Sequence, residues 1–536
     1  MKHLKQYILC SLLLSSIPLN TCADQFDDID FDLMINDPAL DGLTMPADIT
    51  RTPPQTIIEI IESINGIALL QKDLYIKTNP LNTRSLLYYP FVQPARLCYE
   101  HDYIIGGHMF YNQMNRAYFT KDSSKIPSYL AICQTDFLDL LSGSAQQIRV
   151  LFPNFNIDPL AIFPLFNDAT IEQRRIGGLL YASCRFKALS LRAIIPAYYM
   201  ERNYIIGLAQ REELETQLDA TTDDEQKKFQ KSHLISDKFG FGDSRIELDF
   251  LIVDRDDVAV NFGIYSTIPT ALTFGTGGLG SSFEQGVPRP DFDFASLFDD
   301  SIPADQNLEK GTLVLKNFFI GALDQLSANL LETPLGNGGH FGLGGYIVND
   351  FAMSNLIPRP WAEPIFWTNK IYAEYMFPCH EKRFFTKRAD PAAFAARDFN
   401  DSAQAELNLA FLNQEIVNRY YPFVYTTMVY PGFNFEWTSK FSFEGRNGGM
   451  FIGNDIWMEG KEKLTDIKSC GQSLANIDQS AAEKPIAFQS KVFATIFLKA
   501  NRETRVWTVS FNGDYTYASQ GIGKDFTLTL GLEINF

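Results

Sequence analysis

Residues 527–536 read Thr527-Leu528-Thr529-Leu530-Gly531-Leu532-Glu533-Ile534-Asn535-Phe536. Apolar Leu528, Leu530, Leu532, Ile534 and Phe536 alternate with Thr527, Thr529, Gly531, Glu533 and Asn535, and a period of two marks a β-strand with one apolar and one polar face. The same alternation recurs upstream. Phe433, Phe435, Trp437, Phe441 and Phe443 interleave with Asn434, Glu436, Thr438, Lys440 and Glu444; Trp507, Val509, Phe511, Tyr515 and Tyr517 interleave with Thr508, Ser510, Asn512, Asp514 and Thr516. Ile246, Leu248, Phe250 and Ile252 interleave with Arg245, Glu247, Asp249 and Leu251.

Extended along the chain, this reading predicts strands near 97–111, 177–187, 189–206, 243–253, 257–269, 340–351, 366–378, 433–444, 448–459, 490–500, 504–517 and 524–536. Most are about as long as the roughly 9–11 residues a tilted membrane strand needs. Short polar connections, Lys187-Ala188, 254–257, Gly445-Arg446-Asn447 and Asn501-Arg502-Glu503, alternate with long segments at 112–176, 207–242, 270–339, 379–432 and 460–488. A soluble sandwich has no reason to sort its connections by parity. A transmembrane barrel places short turns on the periplasmic side and long loops outside, and closure leaves no strand edge unpaired in lipid. With 352–365 as a medium turn, the count is even and both barrel termini fall on the short-turn side. The expectation is an all-β transmembrane antiparallel barrel of about 12–14 strands with long extracellular loops carrying short helices.

On these residues the sequence resembles a Gram-negative outer-membrane β-barrel protein of the porin type. The resemblance covers roughly 97–536 and is most specific at the tail, where Leu530, Leu532, Ile534 and Phe536 look like the signal read by the barrel-assembly machinery. A narrower similarity lies at Gly240-Phe241-Gly242-Asp243, which looks like the GxGD entry of FadL-like transporters of hydrophobic compounds. Those proteins have fourteen strands and an N-terminal hatch, a count reached here if 84–92 or part of 145–165 adds a hairpin.

Charge on a lipid-facing strand costs on the order of 2–4 kcal/mol at mid-membrane for Lys or Arg, so strand charges are expected to face the lumen. The lumen-lining candidates are Glu100, Asp102, Arg185, Arg192, Arg245, Glu247, Asp249, Lys370, Glu374, Glu436, Lys440, Glu444 and Asp514. In a water-filled pore such rings bias ion selectivity; in a closed one they pair as salt bridges. Trp437, Trp507, Tyr515, Tyr517 and Phe536 suit a membrane-facing surface and its interfacial girdles. Outside the strands, 307–331 and 403–420 carry apolar residues at helical spacing.

The whole chain of 536 residues has 46 basic against 64 acidic side chains, a net charge of −18. Its mean hydropathy is −0.10. Averages of this kind describe a soluble acidic protein, because an alternating barrel averages its lipid face with its lumen. The acidic balance makes nucleic acid an unsuitable partner. The N-terminus carries Lys2 and Lys5, an apolar stretch from Tyr7 to Leu14, then Pro18, Thr21-Cys22-Ala23 and the acidic Asp24, the layout of a Sec-type signal peptide. The expected organisation is therefore a signal at 1–23, an acidic periplasmic or plug segment at 24–83 and a barrel at 84–536, addressed to the outer membrane. Cleavage after Ala23 removes two lysines and no acid, giving a mature charge of −20. It leaves Cys98, Cys133, Cys184, Cys379 and Cys470, so at most two disulfides form, with pairing open.

Chemical motifs are sparse. Gly275-Thr276-Gly277-Gly278-Leu279-Gly280 matches GxGxxG, but Pro288 and Pro290 follow where a phosphate-binding helix is needed, so a flexible loop is expected. Asp28, Asp30 and Asp32 lack the turn glycine and closing Glu of a calcium loop. No paired cysteine spacing suggests zinc. His108 and His340 have the parity of lumen residues, without a nucleophile context. No enzyme activity, cofactor or metal is expected. The function expected is passage of small solutes across the outer membrane, with three alternatives: a FadL-like transporter, a surface adhesin or receptor barrel with a filled lumen, and a secreted soluble all-β protein. The partners expected are outer-membrane lipid, the assembly machinery and small-molecule solutes; oligomeric state stays open.

Overall fold

The computed structural model describes residues 80–92, 103–115, 170–186, 188–205, 222–255, 257–279, 331–355, 357–469, 473–502 and 505–536, with isolated positions between 313 and 330. The chain divides into two units, Met1–Arg51 and Thr52–Phe536, and every described residue belongs to the second. Its strands are β1 (Tyr103–Asn115), β2 (Thr170–Phe186), β3 (Leu189–Ile205), β4 (Ile235–Phe241), β5 (Ser244–Arg255), β6 (Val258–Ile268), β7 (Leu272–Gly278), β8 (Gly342–Ala352) and β9 (Ile365–Met376). They continue with β10 (Cys379–Phe385), β11 (Phe423–Tyr430), β12 (Asn434–Gly445), β13 (Gly448–Glu459), β14 (Lys463–Lys468), β15 (Ala487–Arg502), β16 (Arg505–Gln520) and β17 (Lys524–Asn535).

Twelve of these close into an antiparallel ring in the order β1, β2, β3, β5, β6, β8, β9, β12, β13, β15, β16, β17. The seam is β1 against β17, with Gly107 opposite Leu532 and Met109 opposite Leu530. All twelve predicted strands are present, and 448–459 matches β13 end for end. Tight hairpins join Phe186 to Leu189, Arg255 to Val258, Gly445 to Gly448 and Arg502 to Arg505. They share one end of the barrel with the start of β1, where the Phe536 amide donates to the Tyr103 carbonyl at 2.9 Å.

The alternation read in the sequence becomes two surfaces. Outward positions carry Ile105, Met109, Leu180, Ile195, Phe250, Ile264, Ile347, Ile371, Ile452, Ile496, Phe511, Leu528, Leu530 and Leu532, all exposed. A belt of this size on a soluble protein would drive association; here it is the surface that lipid covers. The molecule is a transmembrane β-barrel of the outer-membrane type. Tyr515, Tyr517 and Phe536 lie exposed on this outer face, as expected of them, and Trp437 and Trp507 sit half-buried on it.

At the long-loop end the strands continue beyond the ring, which the sequence reading did not anticipate. β4 extends β5 across Gly242-Asp243 and pairs with β3 and β7; β10, β11 and β14, which adjoin β9, β12 and β13, form a separate three-stranded sheet at that end. Segments 207–242, 270–339, 379–432 and 460–488 were expected to be loops and helices, but these strands are only six to eight residues long. So short a run carries too few alternations to separate it from loop. The GxGxxG stretch is likewise not a loop: Gly275 to Gly278 lie in β7, paired with Ser236–Phe239 of β4.

Among the described residues helices run over α1 (Asp223–His233), α2 (Pro391–Ala395) and α3 (Ala405–Tyr420). α1 starts at a capping box in which the Thr222 side chain accepts from the Glu225 amide and the Glu225 carboxylate accepts from Thr222. α3 falls inside the predicted 403–420 helix, and every described position between 313 and 330 is helical. Residues 84–92 add no barrel strand; they form two short 3-10 turns, Leu86–Tyr88 and Pro90–Val92.

Candidate functional site

The lumen is occupied by the chain itself. Residues 80–92 run inside the barrel, from Asn82, whose amide donates to the Pro485 and Gly521 carbonyls near the long-loop end, to Phe91, stacked on Phe110 of β1. Ser85 starts the first turn by accepting from the Leu87 amide at 3.3 Å, and Pro90 directs the chain onward. One face of this plug is apolar. Leu86, Leu87, Tyr89 and Phe91 bury themselves against Phe110, Leu179, Ile194, Tyr198 and Met200 of β1 to β3. Burial of each such side chain is worth about 1.5–3 kcal/mol relative to exposure.

The opposite face meets charge. Arg84, fully buried, pairs with Asp455 of β13 at 2.5 Å, donates to Gln489 at 3.2 Å and lies over the Trp457 ring. Arg175 of β2 donates to the Arg84 carbonyl at 2.8 Å and to the Tyr89 hydroxyl at 2.5 Å. Tyr89 in turn donates to Asp525, which with Asp514 pairs with Lys491 at 2.7 Å each. Arg202 holds the Thr83 hydroxyl, and Arg245 donates to the Leu87 carbonyl at 3.1 Å while covering the Tyr88 ring.

Those of the sequence-predicted residues that the structure describes lie at inward positions of the same strands. Arg192 pairs with Glu247 at 3.3 Å, and Glu247 also lies 3.8 Å from Arg245. Asp249 accepts from Tyr346, Glu374 from Thr267 at 2.6 Å, and Glu436 from Thr438 at 3.2 Å. Lys370 sits over the Tyr346 and Tyr372 rings and Lys440 over Phe451. Glu444 meets Lys499 at 3.3 Å, and Arg185 is half-buried at an inward position of β2. Glu100 and Asp102 lie outside the described residues, as do Cys98, Cys133 and Cys470; Cys184 and Cys379 are free thiols. Of the assembly-signal positions, Leu530, Leu532 and Phe536 are exposed on the lipid face and Ile534 is half-buried there.

Of the residues that grip the plug, sequence reasoning named Arg245 and Asp514 and missed Arg84, Arg175, Arg202, Asp455, Lys491 and Asp525. Lys491, Asp455 and Asp525 were legible by inward parity on predicted strands. Arg175 precedes the predicted start of its strand, and Arg84 lies in no periodic segment. Above the plug a cavity of ≈ 70 Å³ remains, edged by Arg84, Tyr198, His340, Trp457, Glu459 and Lys484. That is room for on the order of five waters.

His108 faces the lumen and stacks on Tyr181, whereas His340 lies at the outer rim beside β10. Also at the rim, Asp243 accepts from the Asn337 and Ala271 amides; burial pushes its carboxyl up to about 6 despite those bonds. Burial pushes the Glu381 carboxyl up as well, but Arg383, followed by His340 and Lys484, outweighs it and holds the group below its ordinary value.

No protein-family model and no curated protein matches the chain in sequence. Among solved structures it is similar to an outer-membrane channel of the COG4313 group from Pseudomonas putida F1, at 9% identity and a TM-score of 0.37, over 85% of this chain and 100% of that one. It is also similar to the toluene transporter TbuX of Ralstonia pickettii, at 8% identity and a TM-score of 0.31, over 81% of this chain and 90% of that one. The porin NanC is a third, at 6% identity and a TM-score of 0.26, over 68% and 93% of the two chains.

Proposed function

We propose that this barrel is a gated outer-membrane channel for small polar solutes, closed at rest by residues 80–92. On this reading the protein is exported by its N-terminal signal, is not an enzyme, and has a plug that reaches through position 92. The observation that carries the proposal is the two-sided seating of the plug. Its apolar face rests on β1 to β3, while its polar face is held by Arg84, Arg175, Arg202 and Arg245 through discrete contacts to β13, β2, β3 and β5. Contacts of this kind break one at a time, and the wall they leave behind is charged in both signs, suited to hydrated cargo.

Planar-bilayer recording of the refolded protein tests it. The intact chain is expected to conduct rarely, and deletion of 80–92 to give a steady stepwise conductance. Absence of any conductance step in both forms would sink the proposal. A second reading, a surface receptor role for the sheet of β10, β11 and β14, is favoured by that sheet's position at the long-loop end of a filled barrel. Protease shaving of intact cells that removes ligand binding without altering solute uptake supports it.

A further inference from the structure

The outer rim holds a cluster that the plug does not use. After Asn337, whose amide donates to Asp243, the chain turns through Gly338 and Gly339 at φ +79° and +93°, backbone that disfavours any side chain. The turn delivers His340, buried, against the first residues of β10. His340 Nδ1 lies 2.8 Å from the Phe377 carbonyl oxygen. A carbonyl only accepts, so Nδ1 carries the proton and Nε2 is the ring's ligating nitrogen. Nε2 lies 2.5 Å from Oε1 of Glu381 and 3.6 Å from Sγ of Cys379, and the three atoms lie within 4.8 Å of one another.

Outer contacts fix these groups. The second Glu381 oxygen accepts from Arg383 at 2.9 Å, and Arg383 is held in turn by Glu462 at 3.0 Å. The Cys379 thiol points back to the Gly338 carbonyl at 3.4 Å. A Cβ at Gly338 would run into the Glu381 carboxylate, so this turn is shaped around that side chain. Among the described residues no other group of three His, Cys, Asp or Glu side chains converges in this way.

We propose that His340 Nε2, Cys379 Sγ and Glu381 Oε1 bind a divalent transition-metal ion, zinc foremost, with a fourth position open to water or to a ligand from the adjoining cavity. Imidazole, thiolate and carboxylate are zinc donors, and three protein ligands with one open position is a recurring zinc arrangement. Tetrahedral zinc at ordinary bond lengths sets N···S near ~3.6 Å and N···O near ~3.4 Å. The first spacing is already present, and the carboxylate meets the second by withdrawing ~0.9 Å as the ion takes the place of the proton in the His340–Glu381 contact. A thiolate and a carboxylate balance the double positive charge. The ion ties the turn before β8 to β10 and so links the barrel rim to the three-stranded sheet. Neither the plug nor conduction enters this inference.

The test uses full-length protein refolded in detergent, reduced, stripped with a chelator and titrated with Co²⁺, then Zn²⁺. The expected result is saturation at one ion per chain with a thiolate-to-cobalt charge-transfer absorption that Zn²⁺ abolishes. C379S should lose that band and raise the apparent Kd at least about tenfold, since loss of even an outer contact costs about 10–100-fold. E381Q, which keeps the side chain's shape, should weaken binding and retain the band. C184S, altering the other described free thiol, should change neither. Folding of each variant is checked by its migration on unboiled gels. The proposal is overturned if no one-to-one saturation occurs, or if the band persists undiminished in folded C379S.

Discussion

Lys491 shows how the barrel interior tolerates charge. It is fully buried between Asp514 and Asp525, each 2.7 Å away, and Asp525 also accepts from Thr516, Asn112 and Gln489. Truncating one partner of such a group leaves an uncompensated buried charge, which costs about 3–5 kcal/mol. Lys491→Met is therefore expected to destabilise the folded barrel by about that amount. Adding Asp514→Asn should recover part of it. Urea titration of the refolded protein, followed by tryptophan fluorescence, checks both. Lys491, Asp514 and Asp525 were each readable as lumen residues from alternation, but their convergence from β15, β16 and β17 was not.

At the scale of the element, the plug and the last strand carry separate predictions. Arg84 is the plug's link to Asp455 and Gln489. Arg84→Ala removes that link while leaving the apolar face seated, so single-channel recordings should show open events at least about tenfold more frequent than in the intact chain, a shift of about 1.4 kcal/mol. An unchanged open frequency would mean that the plug does not gate. The final strand is exposed on its apolar face at Leu528, Leu530, Leu532 and Phe536, and its partner strand is β1. Phe536 closes the seam through its amide and lies under the Arg505 guanidinium at 5.2 Å. Deleting Phe536 is expected to lower the yield of folded barrel in outer-membrane fractions several-fold without changing total synthesis, as read from the fast-migrating band on unboiled gels.

For the whole molecule, closure is the property to test. A twelve-strand ring pairs every barrel strand on both sides, so opening it requires many ladder bonds to break together. Unboiled protein should run as a compact species on a denaturing gel and boiled protein as an extended one, whereas a soluble sandwich would run alike in both. The acidic net charge and near-zero mean hydropathy that describe a soluble protein are reconciled here by geometry. Apolar side chains sit outside, and charges such as Arg192, Glu247 and Lys491 sit inside and paired.

Much of this architecture was determined by the sequence alone. A period of two assigns each strand residue to one of two faces, and lipid leaves no choice about which face is apolar. The periodic strands of a barrel expected to have about 12–14, their short turns and the placement of both barrel termini at the short-turn end followed from that local rule. What fills the lumen was decided only by the tertiary structure. Arg84 meets Asp455 across a sequence separation of 371 residues, and the rim cluster joins His340 to Cys379 and Glu381, 39 and 41 residues away. Such contacts leave no periodic trace in the chain, because they depend on ring closure bringing distant strands to one axis.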